Sequence, residues 1–257
     1  MKILGLDSSG IVASVAIVED DTLLAEYTVN YKKTHSQTLL PMLDELVKMT
    51  ELDMETIDAI AVAAGPGSFT GLRIGSATAK GLGLALKKPL IAVPTVDALA
   101  FNLYDAEGLI CPIMDARRNQ VYTGIYKFEN HELVTVREQW ADAVTELIRI
   151  LNEMGQPVTF LGDGVPVFRE LLEQELKVPY SFAPAHVNKQ RAAAVAALGM
   201  KYYKEGEIQT AAFHSPQYLR VSQAERERAQ REESIQPEGE DCPVRSMDRL
   251  ETTGGAV

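Results

Sequence analysis

Cysteine is nearly missing from this sequence: 257 residues hold two, Cys111 and Cys242. That excludes a disulfide framework and a cysteine-built metal cluster. No run reaches the roughly 18 apolar residues needed to cross a bilayer. The opening stretch, Met1-Lys2-Ile3-Leu4-Gly5-Leu6-Asp7, is too short for a signal peptide and reads as a strand. A reducing cytoplasm, away from any membrane, is the expected setting. Positive charge is scarce too: 25 Lys and Arg stand against 36 acidic residues, a net charge of −11. This argues against a general nucleic-acid binder, because neutralising phosphates needs clustered cations. What is there in quantity is ordinary. With 46% hydrophobic and 24% charged residues, the chain can bury a substantial core as one large domain or two moderate ones.

The most unusual stretch is Ala63-Ala64-Gly65-Pro66-Gly67-Ser68-Phe69-Thr70-Gly71-Leu72-Arg73-Ile74-Gly75. A strand-length apolar run, Ile57 to Ala64, precedes it. From Ser68 to Leu86 there is no proline, and the spacing predicts a helix capped by Ser68. Gly71, Gly75, Ala79 and Gly83 recur every four residues, which places them in one ridge on one face. Each internal glycine costs the helix roughly 1 kcal/mol relative to alanine, so a bare ridge needs a reason. Close approach of a partner helix and close packing onto the chain's own sheet both supply one. Phosphate binding does not follow. A Walker A loop needs a lysine after its last glycine, whereas Leu72 and Arg73 follow Gly71, and Gly65, Gly67 and Gly71 miss the dinucleotide spacing by one residue.

Along the chain, Lys2–Asp7, Ala13–Glu19 and Thr22–Asn30 read as three strands. A helix over Ser36–Met49 follows, with Leu39, Leu43, Leu46 and Val47 on one face and Pro41 inside it. After the glycine-ridge helix come a strand at Leu90–Val93 and a helix capped by Thr95 that reaches Tyr104. Then the plan restarts. Leu109–Asp115, Gln120–Phe128 and Glu132–Arg137 are strand-like, and Asp142–Met154 is a helix stopped by Gly155. Val158–Leu161 is the next strand; Val165–Leu176 and Lys189–Lys204 are the next helices. Aligning Ile3–Asp7 with Cys111–Asp115 gives a repeat of order βββαβα. The expected organisation is residues 1–105, residues 106–221, and a polar tail over 222–257 too poor in large apolar residues to order itself.

A duplicated βββαβα plan with an aspartate ending the first strand of each half resembles the actin/sugar-kinase/Hsp70 fold, an α/β class of ASKHA, RNase H-like type. Ile3-Leu4-Gly5-Leu6-Asp7-Ser8-Ser9, His35-Ser36-Gln37-Thr38-Leu39-Leu40-Pro41 and, above all, Gly65–Gly75 resemble the bacterial TsaB (YeaZ) family. Asp115-Ala116-Arg117, Tyr122 and Pro216-Gln217-Tyr218-Leu219-Arg220 are similar as well. The resemblance implies a non-catalytic subunit for N6-threonylcarbamoyladenosine (t6A) formation in tRNA. Such a subunit docks to a catalytic TsaD-type paralogue, with a TsaE-type ATPase joining the pair. It forms homodimers through the same surface and reaches tRNA only through the complex. Docking through the first two helices makes Leu39, Leu43, Leu46, Gly71, Leu72, Ile74, Gly75, Ala79 and Gly83 the expected partner-binding residues. On that expectation Gly75→Leu blocks docking and spares the fold.

The same resemblance implies no catalytic residue, metal or cofactor in this chain. The catalytic relative's pair of metal histidines four apart has no counterpart, since Leu39 stands four residues after His35, and His131, His186 and His214 are isolated. For His35 a local hydrogen bond at the helix start is expected. ATPases of the fold hold phosphates between two glycine-containing hairpins. Here Asp7 and Asp115 remain, but Ser8-Ser9 and Ala116-Arg117 follow them, which leaves two readings: Asp7, Ser8 and Asp115 as a vestigial nucleotide site, or the two aspartates as acceptors of backbone N–H bonds at their strand ends. Gly162-Asp163-Gly164 reads as an adenosine-type turn or a plain strand-to-helix turn. Arg117-Arg118 is the one pair of adjacent arginines in the body, a contact for an acidic partner or tRNA phosphate, or an ordinary exposed turn. The alternative function is a stand-alone ATPase or phosphotransferase of the same fold.

Overall fold

The computed structural model describes residues 1–31 and 34–220. The expected polar tail over 222–257, and Cys242 within it, lie outside the described residues. The first half runs β1 (Lys2–Asp7), β2 (Ala13–Glu19), β3 (Thr22–Val29), α1 (His35–Thr50), β4 (Ala59–Gly65), α2 (Phe69–Leu86), β5 (Leu90–Pro94) and α3 (Thr95–Phe101). The second runs β6 (Leu109–Asp115), β7 (Gln120–Glu129), β8 (Glu132–Ala143), α4 (Val144–Met154), β9 (Val158–Leu161), α5 (Val165–Glu175), β10 (Tyr180–Phe182) and α6 (Ala192–Lys204).

Each half builds one five-stranded sheet, in the orders β3-β2-β1-β4-β5 and β10-β9-β6-β7-β8. Read from its other edge, the second order is the first repeated. In both, three antiparallel strands lead into two parallel ones. The duplicated ASKHA-type α/β plan is therefore the observed fold, and its repeat is longer than the sequence pattern suggested, βββαβαβα. The element that pattern missed is β10, three residues with no apolar alternation long enough to register.

Strand alternation decides which helix meets which face. Leu4 and Leu6 of β1 pack under α1 and α2 with Leu39, Met42, Leu43 and Leu46, whereas Ile3 points the other way, to Val195, Ala196 and Leu198 of α6. Each fully buried aliphatic side chain of this kind contributes roughly 1.5–3 kcal/mol. Gly5 lets α6 approach: a Cβ there would lie 2.3 Å from the Ala192 carbonyl. The second sheet repeats the layering. Cys111 and Ile113 face α4 and α5, while Ile110 and Met114 face Val96, Leu99 and Ala100 of α3. Asp97 of α3 ties these layers together, accepting from Tyr126 Oη at 2.6 Å and Tyr202 Oη at 3.3 Å.

Several boundaries moved for local reasons. Thr95 opens α3 rather than capping it; Pro94 holds the cap position, and the buried Thr95 hydroxyl has no partner among the described residues. The α3 helix also ends at Phe101. β8 runs on to Ala143, because its partner β7 continues the ladder from Gln120. α6 begins at Ala192, whose N–H donates to Ser14 Oγ at 2.9 Å. α1 runs unbroken through Pro41 and ends at Glu51 in the left-handed region, φ 50°. Gly155 closes α4 at φ 66° as expected.

Candidate functional site

Ser68 caps α2 through a hydrogen bond from Gly71 N–H to its Oγ, 3.3 Å. In the helix that follows, the glycine ridge is turned inward. A Cβ on Gly71 would lie 2.0 Å from the Ser8 carbonyl, and one on Gly75 would lie 2.6 Å from Ser8 Oγ. On Gly83 it would meet Leu90 at 2.9 Å, and Ala79 is fully buried. Leu39, Leu43 and Leu46 are buried in the same layer as Ala79, and Leu72 is buried as well. The close approach those glycines allow is thus to the end of β1 and to β5. Of the two readings that the spacing left open, the ridge thus takes packing onto the chain's own sheet, and of the residues expected at a partner Ile74 alone is half-exposed. Gly75→Leu would drive a side chain into Ser8, so it does not spare the fold.

The outward face of α2 carries Ala77, Gly81 and Leu84, and a Cβ on Gly81 would meet nothing within 4 Å. Leu84 is 66% exposed, and on α1 Leu40 and Met49 are 52% and 77% exposed. Here α1 and α2 do present apolar side chains to solvent.

At the N-terminus of α2 the β1–β2 turn is closed by the chain itself. Asp7 is buried and accepts from Ser9 N–H at 2.8 Å and Ser9 Oγ at 2.7 Å. Burial raises its carboxyl to about 6, against the lowering effect of those two hydrogen bonds. Ser8 Oγ donates to the Gly71 carbonyl at 2.8 Å. Ser68 N–H donates to the Ser9 carbonyl at 2.6 Å, and a Cβ on Gly67 would lie 2.3 Å from that oxygen. A helix N-terminus ordinarily offers its free N–H groups to an anion; here the turn of β1 takes that place. His35 helps hold it, since Nε2–H donates to the Gly10 carbonyl at 2.8 Å. That bond spans 25 residues of sequence rather than the local bond expected at a helix start.

The equivalent turn of the second half, between β6 and β7, stays open. Asp115 Oδ1 accepts from Arg117 N–H at 2.8 Å, and its other oxygen is 3.3 Å from Arg117 Nη1. Arg117, Arg118 and Asn119 are all left-handed, with φ of 66°, 55° and 57°. The turn borders a cleft of about 440 Å³ lined by Ser9, Gly10, Gly67, Ser68, Asp115 and Asp163, among others. Asp163 accepts from Asp115 N–H at 3.2 Å, and burial raises its carboxyl. Its neighbours Gly162 and Gly164 pack on the Ile113 carbonyl, 2.2 and 2.9 Å from where a Cβ would stand, as a tight strand-to-helix turn. Gln190 is buried beside Gly10 with neither amide atom partnered among the described residues. No group of three His, Cys, Asp or Glu among the described residues could share a metal ion.

One association was invisible in the sequence. The segment 209–220 straps α2 down. Gln209 and Leu90 exchange two backbone hydrogen bonds of 2.8 Å, and Lys80 Nζ donates to the His214 carbonyl at 3.0 Å. The buried His214 ring is held below its ordinary pKa by burial and by Lys80. Gln217 N–H then donates to the Ala64 carbonyl at 2.7 Å, and Gly65, φ 124°, leaves room for the Gln217 carbonyl. Tyr218 stacks on Phe69 with ring centroids 4.8 Å apart and accepts from Arg73 Nε at 3.3 Å. The two sequence signatures at 65–75 and 216–220 therefore form one surface. The only sequence signal for it was that both resembled the same family.

Residues 22–228 match the family model "TsaD: tRNA N6-adenosine threonylcarbamoyltransferase". The chain is 36% identical over 225 residues to the tRNA threonylcarbamoyladenosine biosynthesis protein TsaB of Bacillus subtilis, covering 88% of this chain and 96% of that one. It is 31% identical over 178 residues to the tRNA N6-adenosine threonylcarbamoyltransferase of Fervidobacterium nodosum, covering 61% and 52%. Among solved structures, a Pseudomonas aeruginosa protein described as similar to peptidase YeaZ superposes with a TM-score of 0.71 at 24% identity, covering 85% of this chain and 99% of that one.

Proposed function

The chain belongs to the TsaB (YeaZ) family, whose members are named for tRNA threonylcarbamoyladenosine biosynthesis, and we propose that it serves t6A formation as a non-catalytic subunit. It docks to the catalytic TsaD-type paralogue through the outward faces of α1 and α2, in the cytoplasm, and activates it. The TsaE-type ATPase joins that pair, tRNA is met only in the assembly, and homodimers of this chain compete for the same helices.

The observation that carries this reading is the contrast between the two sides of α2. Its inner side and N-terminus are consumed by the chain's own β1–β2 turn, while Leu84, bare Gly81 and, on α1, Leu40 and Met49 are left uncovered. An apolar helix face of this kind stabilises an interface by removing its area from water. The closed turn also weighs against a stand-alone phosphotransferase, because the Ser68 N–H, a donor that a phosphate could use, is already given to the Ser9 carbonyl.

Gly81→Leu is the deciding variant. Its side chain enters open solvent, so melting of the isolated protein is expected to stay within about 0.5 kcal/mol of wild type. Retention of the TsaD-type partner in co-purification is expected to be lost, and Leu84→Glu should act alike. A variant that still retains the partner at wild-type strength would overturn the docking face. ATP turnover by the isolated chain would overturn the non-catalytic assignment.

A further inference from the structure

Residues 1–220 hold eight arginines. Four are satisfied within the fold. Arg149 pairs with Glu146 and Glu153, Arg169 with Glu173, and Arg191 with Glu26, while Arg137 lies over the Trp140 ring at 4.2 Å. The other four, Arg73, Arg117, Arg118 and Arg220, follow a single connected line. Arg73 lies over the Phe69 ring at 3.9 Å and donates to Tyr218 Oη. Two residues past Tyr218, Arg220 Nη1 donates to the Ala116 carbonyl at 2.8 Å. Ala116 leads directly into Arg117 and Arg118, both exposed. Among the described residues the one carboxylate within ion-pair distance of these four is Asp115, on Arg117. Asp163, another acid bordering the line, is half-buried and turned to the Asp115 N–H.

In a chain of net charge −11, a line of arginines left largely without acids, and carrying stacked aromatics, is out of character with the rest of the surface. Tyr218 is 40% exposed beside Phe69. Three consecutive left-handed non-glycine residues hold Arg117 and Arg118 at the tip of the turn, a conformation that costs roughly 1–2 kcal/mol per residue. Guanidinium groups interleaved with aromatic rings match one ligand chemistry, a phosphodiester backbone with unstacked bases. We propose that this line, from Arg73 and Tyr218 through Arg220 to Arg117 and Arg118, is an RNA contact, which the chain brings to tRNA within the assembly. The inference rests on the t6A reading given above; Arg73 stands on α2 one turn before Ala77 of its outward face, whereas Arg117, Arg118 and Arg220 lie off the docking helices.

The test titrates a fluorescent tRNA transcript into the chain with its TsaD-type partner, and into the chain alone, over a range of salt. Arg117→Ala/Arg118→Ala removes two exposed side chains without touching the core. Its expected effect is about a tenfold loss of tRNA affinity and a shallower salt dependence, by roughly 0.7–0.9 per lost phosphate contact. The charge-conserving double substitution, Arg117→Lys with Arg118→Lys, should restore the salt slope. Co-purification in the same samples reports on docking separately. If wild type retains no partner, the docking reading fails and the chain-alone titration decides this one. Unchanged tRNA affinity and slope in both titrations would overturn the RNA contact. So would a variant that loses the partner while its tRNA slope is unchanged, because the line would then meet a protein.

Discussion

The two halves close their first strands in the same way and then diverge. Asp7 and Asp115 each accept a hydrogen bond of 2.8 Å from the N–H two residues on, Ser9 in one turn and Arg117 in the other. From that shared start the first turn folds inward. Its serines bind Asp7, Gly71 and Ser68, and the N-terminus of α2 seals it. The second turn points outward and lifts two arginines into solvent on a left-handed backbone. Small hydroxyl residues beside glycines let backbones meet, while long cations cannot be buried unpaired and hold the second turn at the surface. One duplicated element has become a brace in one half and a projecting tip in the other.

The strongest way to break that contrast is to force the brace open. Gly71→Ala places a methyl where the Ser8 carbonyl stands 2.0 Å away, and backbone cannot yield cheaply. A loss of about 3 kcal/mol or more is expected in urea denaturation. A cost under about 1 kcal/mol would mean the turn can move aside, and that the site is not sealed.

A smaller effect separates the turns by pH. The folded Asp7 carboxyl is raised by burial to about 6, against roughly 3.9 unfolded. The folded state therefore holds its proton more tightly. The stability this supplies is fully present below about pH 4 and is lost as pH rises through about 6, some 3 kcal/mol over that window. Asp7→Asn should flatten that fall, so the difference between wild-type and variant denaturation curves is the observable. Parallel curves across the window would show that Asp7 is not sealed from water.

The smallest expected effect has the opposite sign to the first. Arg118 is left-handed at φ 55°, so Arg118→Gly relieves backbone strain but also loosens the unfolded chain. A net gain of roughly 0.5 kcal/mol is expected, measurable as a small rise in denaturation midpoint. A loss of stability would mean the Arg118 side chain packs on the body, which would undercut its role as an outward contact.

Much of this was legible before the fold was known. The strand endings at Asp7 and Asp115, the Ser68 cap and the Gly155 stop are local events that neighbouring residues decide. The glycine ridge was legible as a ridge but not as to what it faces, because spacing of four fixes a shared face and leaves the direction of that face open. Rotation of α2 is set by Ala79 joining the layer with Leu4 and Leu6 of β1, Ile60 and Val62 of β4 and Leu90 of β5, contacts between residues far apart in sequence. The reach of His35 to Gly10 was hidden for the same reason.

By itself the sequence determined the duplicated α/β plan, the caps and stops, the scarcity of positive charge and the family-like signature around Gly65–Gly75. Periodicity and capping act over a few residues, and a chain of letters records them. Only the tertiary structure decided that Gly71 and Gly75 serve Ser8, that Gly81 is the bare glycine facing solvent, and that Tyr218 brings Arg220 and the 117–118 turn into line with Arg73. Those pairings come from packing between segments up to 145 residues apart, where burial and sterics choose among neighbours that local spacing cannot distinguish.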